Sequence, residues 1–494
     1  MSSISHVAIL LAATLLSSCA AVSHKFTCPA KGGVEWRELK SEHVLLQTDL
    51  SQAKAEELLR DAEQMRALVL AALFKQPPQL PDRVHLVAFR TDRELWELTG
   101  EAGRNTVATF AMGMENRSAD PFLAVVPAWG RLRSDYLSSL THAISWQVSG
   151  YLFPGQPDWL REGLATYMET LALYDDGGRH FVGNLPGAIV GPPWEVPDTL
   201  SITLAGGTPA YGNFGLRSPG WMLVRWLSEA RPAEYVTFLK QVSSGVDGKA
   251  AWMAVFPQWD PARPDQMALL EAELKAWFDI GKLRYREVTA AVDPTWRSGS
   301  LAAPEVHLLR IRIRREARGA TGAAENAAEA AEAIAEAPLH PAALWLAAGE
   351  KAIDPATARA STGAYPDDWR AWLLLGEALQ GRDAVAAVSA FRKAGALAPG
   401  DPVALLGVAR GLLAIDDAPA ALPRAREAVR LAPSSDEALA VLAAAAAQTG
   451  SCPEALVTAR RLRARLKAGD DPRAEKLLEQ VASRCLAGGP TGLR

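Results

Sequence analysis

The sequence is poor in cysteine and carries no excess of positive charge. It has four cysteines in 494 residues, and no two of them have the spacing of a metal site. Its 52 basic and 56 acidic residues leave a formal net charge of −4, without a basic stripe. Because nucleic-acid-binding proteins concentrate Lys and Arg on one face or segment, we expect no nucleic-acid partner.

The N-terminus lacks an apolar run long enough to span a bilayer. Residues 7–18, VAILLAATLLSS, have the length and composition of a signal-peptide core. The run ends in LSSC at 16–19, which resembles a bacterial lipobox. That resemblance implies a signal peptide over 1–18, a lipid on Cys19 that contacts the membrane, and a tether over 19–33. The first six residues contain no Lys or Arg, so a cleaved signal with an incidental cysteine remains the alternative.

The remaining cysteines are compatible with export. Ala20 follows Cys19, so the Asp that usually retains a lipoprotein in the inner membrane is missing. We therefore expect an exported, membrane-anchored lipoprotein, in the outer membrane if the cell has two membranes, or else a periplasmic protein.

Cys452 and Cys485 flank the last predicted helices. In an oxidising compartment they can form a disulfide, and two free thiols are the alternative.

Tryptophan is missing from the last quarter of the chain, which indicates two kinds of domain. All 15 Trp lie at or before Trp372. In the first part, β-branched runs at 43–49 and 83–89 predict strands on either side of a helix over 51–74. The runs at 107–112 and 122–128 predict a hairpin. Further helices are predicted over 134–150, 157–174, 217–230, 232–244 and 264–281, with a long loop over 183–213.

The C-terminal part has a regular helical period. Pro366, Pro399 and Pro433 end Ala-rich segments and lie 33 and 34 residues apart. The segment between the first two resembles a tetratricopeptide repeat at Trp372, Leu375, Gly376, Ala387, Phe391, Ala394 and Pro399. We expect about five helix pairs and a capping helix over 304–485. The residues 286–303 are predicted to form a linker.

Two motifs in the middle of the N-terminal part carry chemistry. The sequence WLREGLA at 159–165 follows LTHA at 140–143. Together they resemble the gluzincin, or peptidase MA-like, zinc metallopeptidases, in which H-E-x-x-H and a later Glu hold zinc. The resemblance covers residues 34–285. It implies an α+β zincin-like domain, with a small sheet and a helical subdomain, before the all-α tetratricopeptide-like solenoid.

The same resemblance maps the zinc site residue by residue. It places the second His ligand at His142 and the third ligand at Glu162. The first His ligand and the catalytic Glu fall on Ser138 and Ser139. A neutral Ser hydroxyl is a poor zinc ligand, and a missing general base costs about 10²–10⁴-fold in rate. We therefore expect no catalytic residue and no cofactor at this site.

Two alternatives keep a working site. His180, Asp175 or Asp176 could replace the missing ligands and rebuild a zinc site, which would make the chain an active metallopeptidase with a rearranged centre. A Ser138–His142 or Ser139–His142 nucleophile pair has helical spacing. It lacks a nucleophile elbow and an evident oxyanion hole.

The residues therefore favour a pseudoenzyme that binds protein or peptide. In this interpretation His142 and Glu162 form a buried pair between two helices, because a buried Glu needs a partner. The partner would bind through the cleft and the helical repeats. In active relatives an edge strand holds an extended peptide. The candidate strand here consists of Phe122, Leu123, Ala124, Val125 and Val126.

Overall fold

The computed structural model describes residues 27, 29–81, 83–100, 122–127, 133–173, 179–186, 199–207, 213–278, 284–348, 353–466 and 472–486. Helices dominate these residues, and a small mixed sheet lies in the N-terminal part. The predicted signal peptide, Cys19 and the predicted strand over 107–112 lie outside the described residues. In the described ranges, no helix combines the length and the hydropathy needed to cross a bilayer.

The described residues form seven strands: β1 (Arg37–Lys40), β2 (Val44–Thr48), β3 (Val84–Ala88), β4 (Leu123–Val125), β5 (His180–Val182), β6 (Arg286–Val288) and β7 (Arg297–Ser300). Five of them form the larger sheet in the order β4-β3-β2-β1-β7, and β5 pairs with β6 in a second, two-stranded sheet. β1 is antiparallel to both β2 and β7, whereas β2, β3 and β4 run parallel. The strands predicted over 43–49 and 83–89 correspond to β2 and β3.

The helices of the N-terminal part agree with most of the sequence prediction. They are α1 (Gln52–Leu73), α2 (Asp92–Thr99), α3 (Arg133–Leu152), α4 (Asp158–Leu173), α5 (Thr199–Leu204), α6 (Asn213–Ala230), α7 (Pro232–Ser243), α8 (Gly248–Val255) and α9 (Pro264–Trp277). The predicted loop over 183–213 differs, because it contains α5. Six residues are too few for a clear helical period, so the Pro and Gly around them dominated the prediction.

The alternation of side chains along the strands gives the sheet two different faces. Leu39, Leu46 and Leu86 project from one face into a core completed by α1 and α3, where Leu58 and Ile144 are also fully buried. The opposite face is mixed, with apolar residues towards one end and polar ones towards the other. The apolar end is covered by a helix of the C-terminal part, described below.

The structure differs from the sequence prediction over 286–303, which forms two strands instead of a linker. β6 pairs with β5, so that Val288 lies opposite His180. β7 pairs with β1, so that Gly299 lies opposite Glu38. The polar run RSGS has no strand-like composition, and its pairing depends on hydrogen bonds to a distant segment. The sheet of the N-terminal part is therefore completed by residues beyond 285.

The C-terminal part consists of helix pairs, as the period predicts. Its helices are α10 (Ala303–Arg318), α11 (Ala323–Glu336), α12 (Pro341–Ala348), α13 (Pro355–Ala364), α14 (Trp369–Leu379), α15 (Ala384–Leu397), α16 (Pro402–Ala414), α17 (Ala418–Leu431), α18 (Asp436–Gln448), α19 (Cys452–Arg465) and α20 (Pro472–Leu486). An Asp side chain accepts a backbone hydrogen bond at the N-cap of each helix from α13 to α17. A Cβ at Gly376 would lie 2.4 Å from Phe391, which explains why the repeat needs glycine there.

The helix pairs contact the N-terminal part at both of their ends. α10 packs Val306, Leu309 and Ile313 against the apolar end of the second sheet face. At the far end, the Tyr151 hydroxyl donates to the carbonyl of Arg430 at 2.7 Å, and Ser434 donates to the carbonyl of Gly150 at 2.9 Å. The repeats are thus attached to the N-terminal part through α10 and through the C-terminal end of α3.

A disulfide lies at the C-terminal end of the repeats. The Sγ atoms of Cys452 and Cys485 are joined at 2.15 Å, with their Cα atoms 5.3 Å apart. The bond links the first residue of α19 to the last turn of α20. It therefore attaches the capping helix covalently to the last helix pair.

Candidate functional site

The two peptidase-like motifs lie on packed helices, LTHA on α3 and WLREGLA on α4. α6 crosses α4 at very short range, because both helices have glycine at the crossing. A Cβ at Gly163 would lie 2.3 Å from the carbonyl oxygen of Gly220, and one at Gly220 would lie 2.5 Å from that of Trp159. The glycine of the WLREGLA motif is therefore required for this approach. The crossing brings Arg217, one turn before Gly220, next to Glu162.

The site is an ion cluster of four side chains, which we call the His142 cluster: His142, Glu162, Glu169 and Arg217. His142 Nε2 lies 3.4 Å from Oε1 of Glu162, and His142 Nδ1 lies 2.6 Å from Oε1 of Glu169. Arg217 donates from Nη2 to the same oxygen of Glu169, and its Nε lies 4.0 Å from Oε1 of Glu162. The four side chains are at most 16% exposed. Two carboxylates thus face two cationic groups.

Electrostatics keep this histidine protonated. Burial alone lowers the pKa of His142, but the charge of Glu162 and contacts with both carboxylates outweigh it and raise the pKa to about 9. Burial likewise raises the pKa of Glu162, but His142, Arg217 and Arg161 outweigh it and bring the pKa below its ordinary value. At neutral pH the pair is therefore an imidazolium and a carboxylate.

This charge state determines what the cluster can do chemically. A metal-binding histidine must offer a neutral ring nitrogen, whereas the two ring nitrogens of His142 lie 3.4 Å from a carboxylate oxygen of Glu162 and 2.6 Å from one of Glu169. The guanidinium of Arg217 adds a positive charge where a cation would have to bind. Among the residues that the structure describes, no group of three or more His, Cys, Asp or Glu side chains could hold a metal ion.

The two serines lie on the side of α3 that carries His142. Ser138 is four residues before His142, so both share one helix face, and Ser139 is three residues before it. Both serines are half-buried.

The residues that the sequence offered as replacement metal ligands are not among the four residues of the His142 cluster. His180 is buried in β5, and its Nδ1 donates to the carbonyl of Leu171 at 2.9 Å. It is held at the end of α4 and forms no metal group with His142 and Glu162. Asp175 and Asp176 lie outside the described residues.

The candidate peptide-binding strand corresponds to β4. It pairs with β3 and has no second neighbour among the described strands. Phe122, Leu123, Ala124 and Val125 are buried, and Val126 is half-buried. Phe122 and Ala124 contact α10 in the core, whereas Leu123 and Val125 face α1 and α3. Both faces of this strand are therefore covered by helices.

Sequence reasoning missed Glu169 and Arg217. Glu169 is seven residues after Glu162, which is two helical turns along the same face of α4, so its position could have been inferred. Arg217 is distant in the sequence and belongs to no spacing pattern with His142. Only the helix crossing at Gly163 shows that it reaches the cluster.

Comparisons with known proteins assign no function to this chain. No model of a known protein family matches this chain, and no curated protein matches it. The resemblance to gluzincin peptidases and to tetratricopeptide repeats therefore rests on the sequence motifs and stays a prediction.

Proposed function

We propose that this protein is a pseudo-metallopeptidase of the bacterial envelope that binds protein or peptide without hydrolysing it. The observation that carries the proposal is the His142 cluster. A zinc peptidase needs neutral histidine ligands and a free carboxylate that takes a proton from water. Here Ser139 occupies the position where the resemblance places that carboxylate, and the two nearby carboxylates, Glu162 and Glu169, form ion pairs with His142 and Arg217.

The arrangement of the chain supports a binding role. Helix pairs of tetratricopeptide-like sequence stack into curved surfaces that suit peptide or helix partners. In this chain they contact the N-terminal part at both ends. A partner would therefore meet repeats and sheet together.

The cellular location in this proposal comes from the sequence LSSC at 16–19. A lipid on Cys19 would attach the chain to the membrane by its N-terminus. If so, a Cys19→Ala variant expressed in the native cell should move from the membrane fraction to the soluble periplasmic fraction. An unchanged membrane fraction would contradict lipid anchoring.

The metal content of the purified full chain tests the absence of hydrolase chemistry. After incubation with zinc and dialysis, we expect far less than one zinc per chain and no cleavage of unstructured peptides. A Ser138→His/Ser139→Glu variant restores the family pattern, and adding Arg217→Met removes the competing cation. This triple variant should take up zinc.

A matched control carries the same three substitutions together with His142→Ala, which removes one ligand and should abolish zinc uptake. Near-stoichiometric zinc in the natural chain would overturn the proposal and favour an active metallopeptidase with a rearranged centre. If neither the natural chain nor the triple variant binds zinc, the proposed likeness to a zincin scaffold fails as well.

A further inference from the structure

A cavity of about 780 Å³ lies between the polar end of the second sheet face and the repeats. We call it the sheet–repeat cavity. Its walls come from β1, β2, β3 and β7, from α10, and from α12, α14 and α16 with the turns before them. Its volume is in the range of sites that bind small ligands or short peptide segments. It lies apart from the His142 cluster, none of whose residues lines it.

The sheet wall of the cavity is a fixed row of polar side chains. Gln47 donates from Nε2 to Oε2 of Glu38 at 2.9 Å, and its Oε1 lies 2.9 Å from Nε2 of His85. The row crosses three neighbouring strands, and Gln47 and His85 are at most 8% exposed. Because these hydrogen bonds set the orientation of Glu38, its carboxylate is held at the cavity wall.

The repeat wall combines aromatic rings with helix starts that are already capped. Trp345 and Trp369 line the cavity and are half-buried against the repeat core. A helix N-terminus favours an anion, but here carboxylates of the chain fill that role. Asp401 accepts from the backbone N–H of Val403 at 2.9 Å, and Asp368 accepts from that of Arg370, also at 2.9 Å.

The charges of the lining favour a cation. Five carboxylates and two arginines line the cavity. Arg370 is occupied, because it donates to Glu305 at 2.7 Å and to Asp368 at 2.7 Å. Burial lowers the pKa of His340, so this ring is neutral at pH 7. The excess negative charge should repel anionic ligands and attract cationic ones.

A free strand edge opens beside the cavity. β7 is exposed along its whole length and is the last strand of the sheet on that side, with no second neighbour in the described ranges. Gly299 and Ser300 line the cavity, and a Cβ at Gly299 would meet nothing within 4 Å. An extended peptide can add to such an edge through its backbone.

We propose that the sheet–repeat cavity binds an extended peptide segment that carries a Lys or Arg side chain. The cationic group is placed among the carboxylates of Glu38 and Asp367, with its aliphatic stem against Trp345 or Trp369. The peptide backbone runs along β7. This inference names the partner class of the proposed binding function, and it does not depend on the state of the His142 cluster.

Binding of short peptides to the full chain, followed by calorimetry, tests this proposal. The probes are acetyl-Ala-Lys-Ala-Lys-Ala-amide and the same peptide with Glu or Gln in place of Lys. We expect saturable binding of the Lys peptide only. Glu38→Gln/Asp367→Asn should weaken it by roughly tenfold, because two charge contacts at the cavity are lost.

A matched control separates local contacts from overall charge. Glu35→Gln/Glu42→Gln removes the same charge from side chains that are 82% and 86% exposed and do not line the cavity. This variant should bind the Lys peptide within about twofold of the natural chain, since exposed and distant charges contribute little. Thermal unfolding of both variants checks that they fold.

Several results would overturn the inference. These are the absence of Lys-peptide binding at millimolar concentration, equal binding of the Glu peptide, and equal weakening by both double variants. Binding of chitotriose that competes with the peptide and ignores the charge changes would indicate a glycan site instead. Mass spectrometry of the same samples reports cleavage, which would contradict the proposed function and leave the cavity assignment standing.

Discussion

The protonation of His142 leads to a prediction about pH. The pKa of this residue is raised from 6.5 to about 9 by Glu162 and Glu169, against the effect of burial. A group with a raised pKa in the folded state stabilises the fold fully below its unfolded pKa. This contribution is lost as the pH rises through the folded value. The window for His142 is therefore from pH 6.5 to about 9.

The size of the effect follows from the shift. Each pKa unit corresponds to 1.36 kcal/mol, so the loss across this window is about 3 kcal/mol. For a folded part of about 200 residues this corresponds to roughly 6–12 °C in unfolding temperature. The lowered pKa of Glu162 affects stability at acidic pH instead. The stabilisation that this carboxylate contributes is present above pH 4.5 and is lost as the pH falls through its folded pKa.

Thermal unfolding of the natural chain and of His142→Gln, measured from pH 6 to pH 10, checks this prediction. His142→Gln should destabilise the fold at pH 6, because it leaves two carboxylates with Arg217 alone. The difference between the two chains should shrink by about 3 kcal/mol towards pH 9.5. Taking the difference cancels the titration of the other seven histidines and of the lysines. A difference that stays constant across this range would show that folding does not raise the pKa of His142, and the proposed pseudo-site would lose its electrostatic basis.

Three further predictions concern the fold. Gly163→Ala should destabilise the chain by about 2 kcal/mol or more in denaturant unfolding, because the new Cβ would lie 2.3 Å from the backbone carbonyl oxygen of Gly220. The control is Gly363→Ala, which should be neutral or stabilising, because its Cβ would meet nothing within 4 Å. Arg217→Ala should cost about 3 kcal/mol in the same assay, since it leaves buried carboxylates undercompensated; an unchanged midpoint would contradict the cluster. Replacing Cys452 by Ser opens a loop with a sequence separation of 33 residues, and should cost about 3–4 kcal/mol and speed hydrogen exchange in α20; unchanged exchange would show that packing alone holds that helix.

The helices of the repeats were predictable because the sequence signals that specify them are local. The spacing of Pro366, Pro399 and Pro433 marks the ends of alternate helices (α13, α15 and α17), and apolar periodicity marks the buried faces of the helices. The Asp residues that cap α13 to α17 act within three residues of themselves. Such signals survive in a single sequence, since they need no distant partner.

The candidate site was predictable only in part. His142 and Glu162 are named by motif spacing, and Glu169 follows from the helical period. Arg217 depends on the angle and distance at which α6 crosses α4, which a spacing pattern does not contain. Its contact with Glu169 gives the cluster its second cation.

The sequence by itself determined the helices of the repeats and the strand–helix–strand start of the sheet, and it has serine at the two positions where the resemblance places zinc-site residues. Each of these depends on residues that are close along the chain. The tertiary structure alone decided that residues 297–300 complete the sheet, that α10 covers one of its faces, and that repeats and sheet enclose a cavity. These features join segments hundreds of residues apart. They are stabilised by burial and strand pairing between segments that are distant in the sequence, and no local sequence pattern specifies which of these segments contact each other.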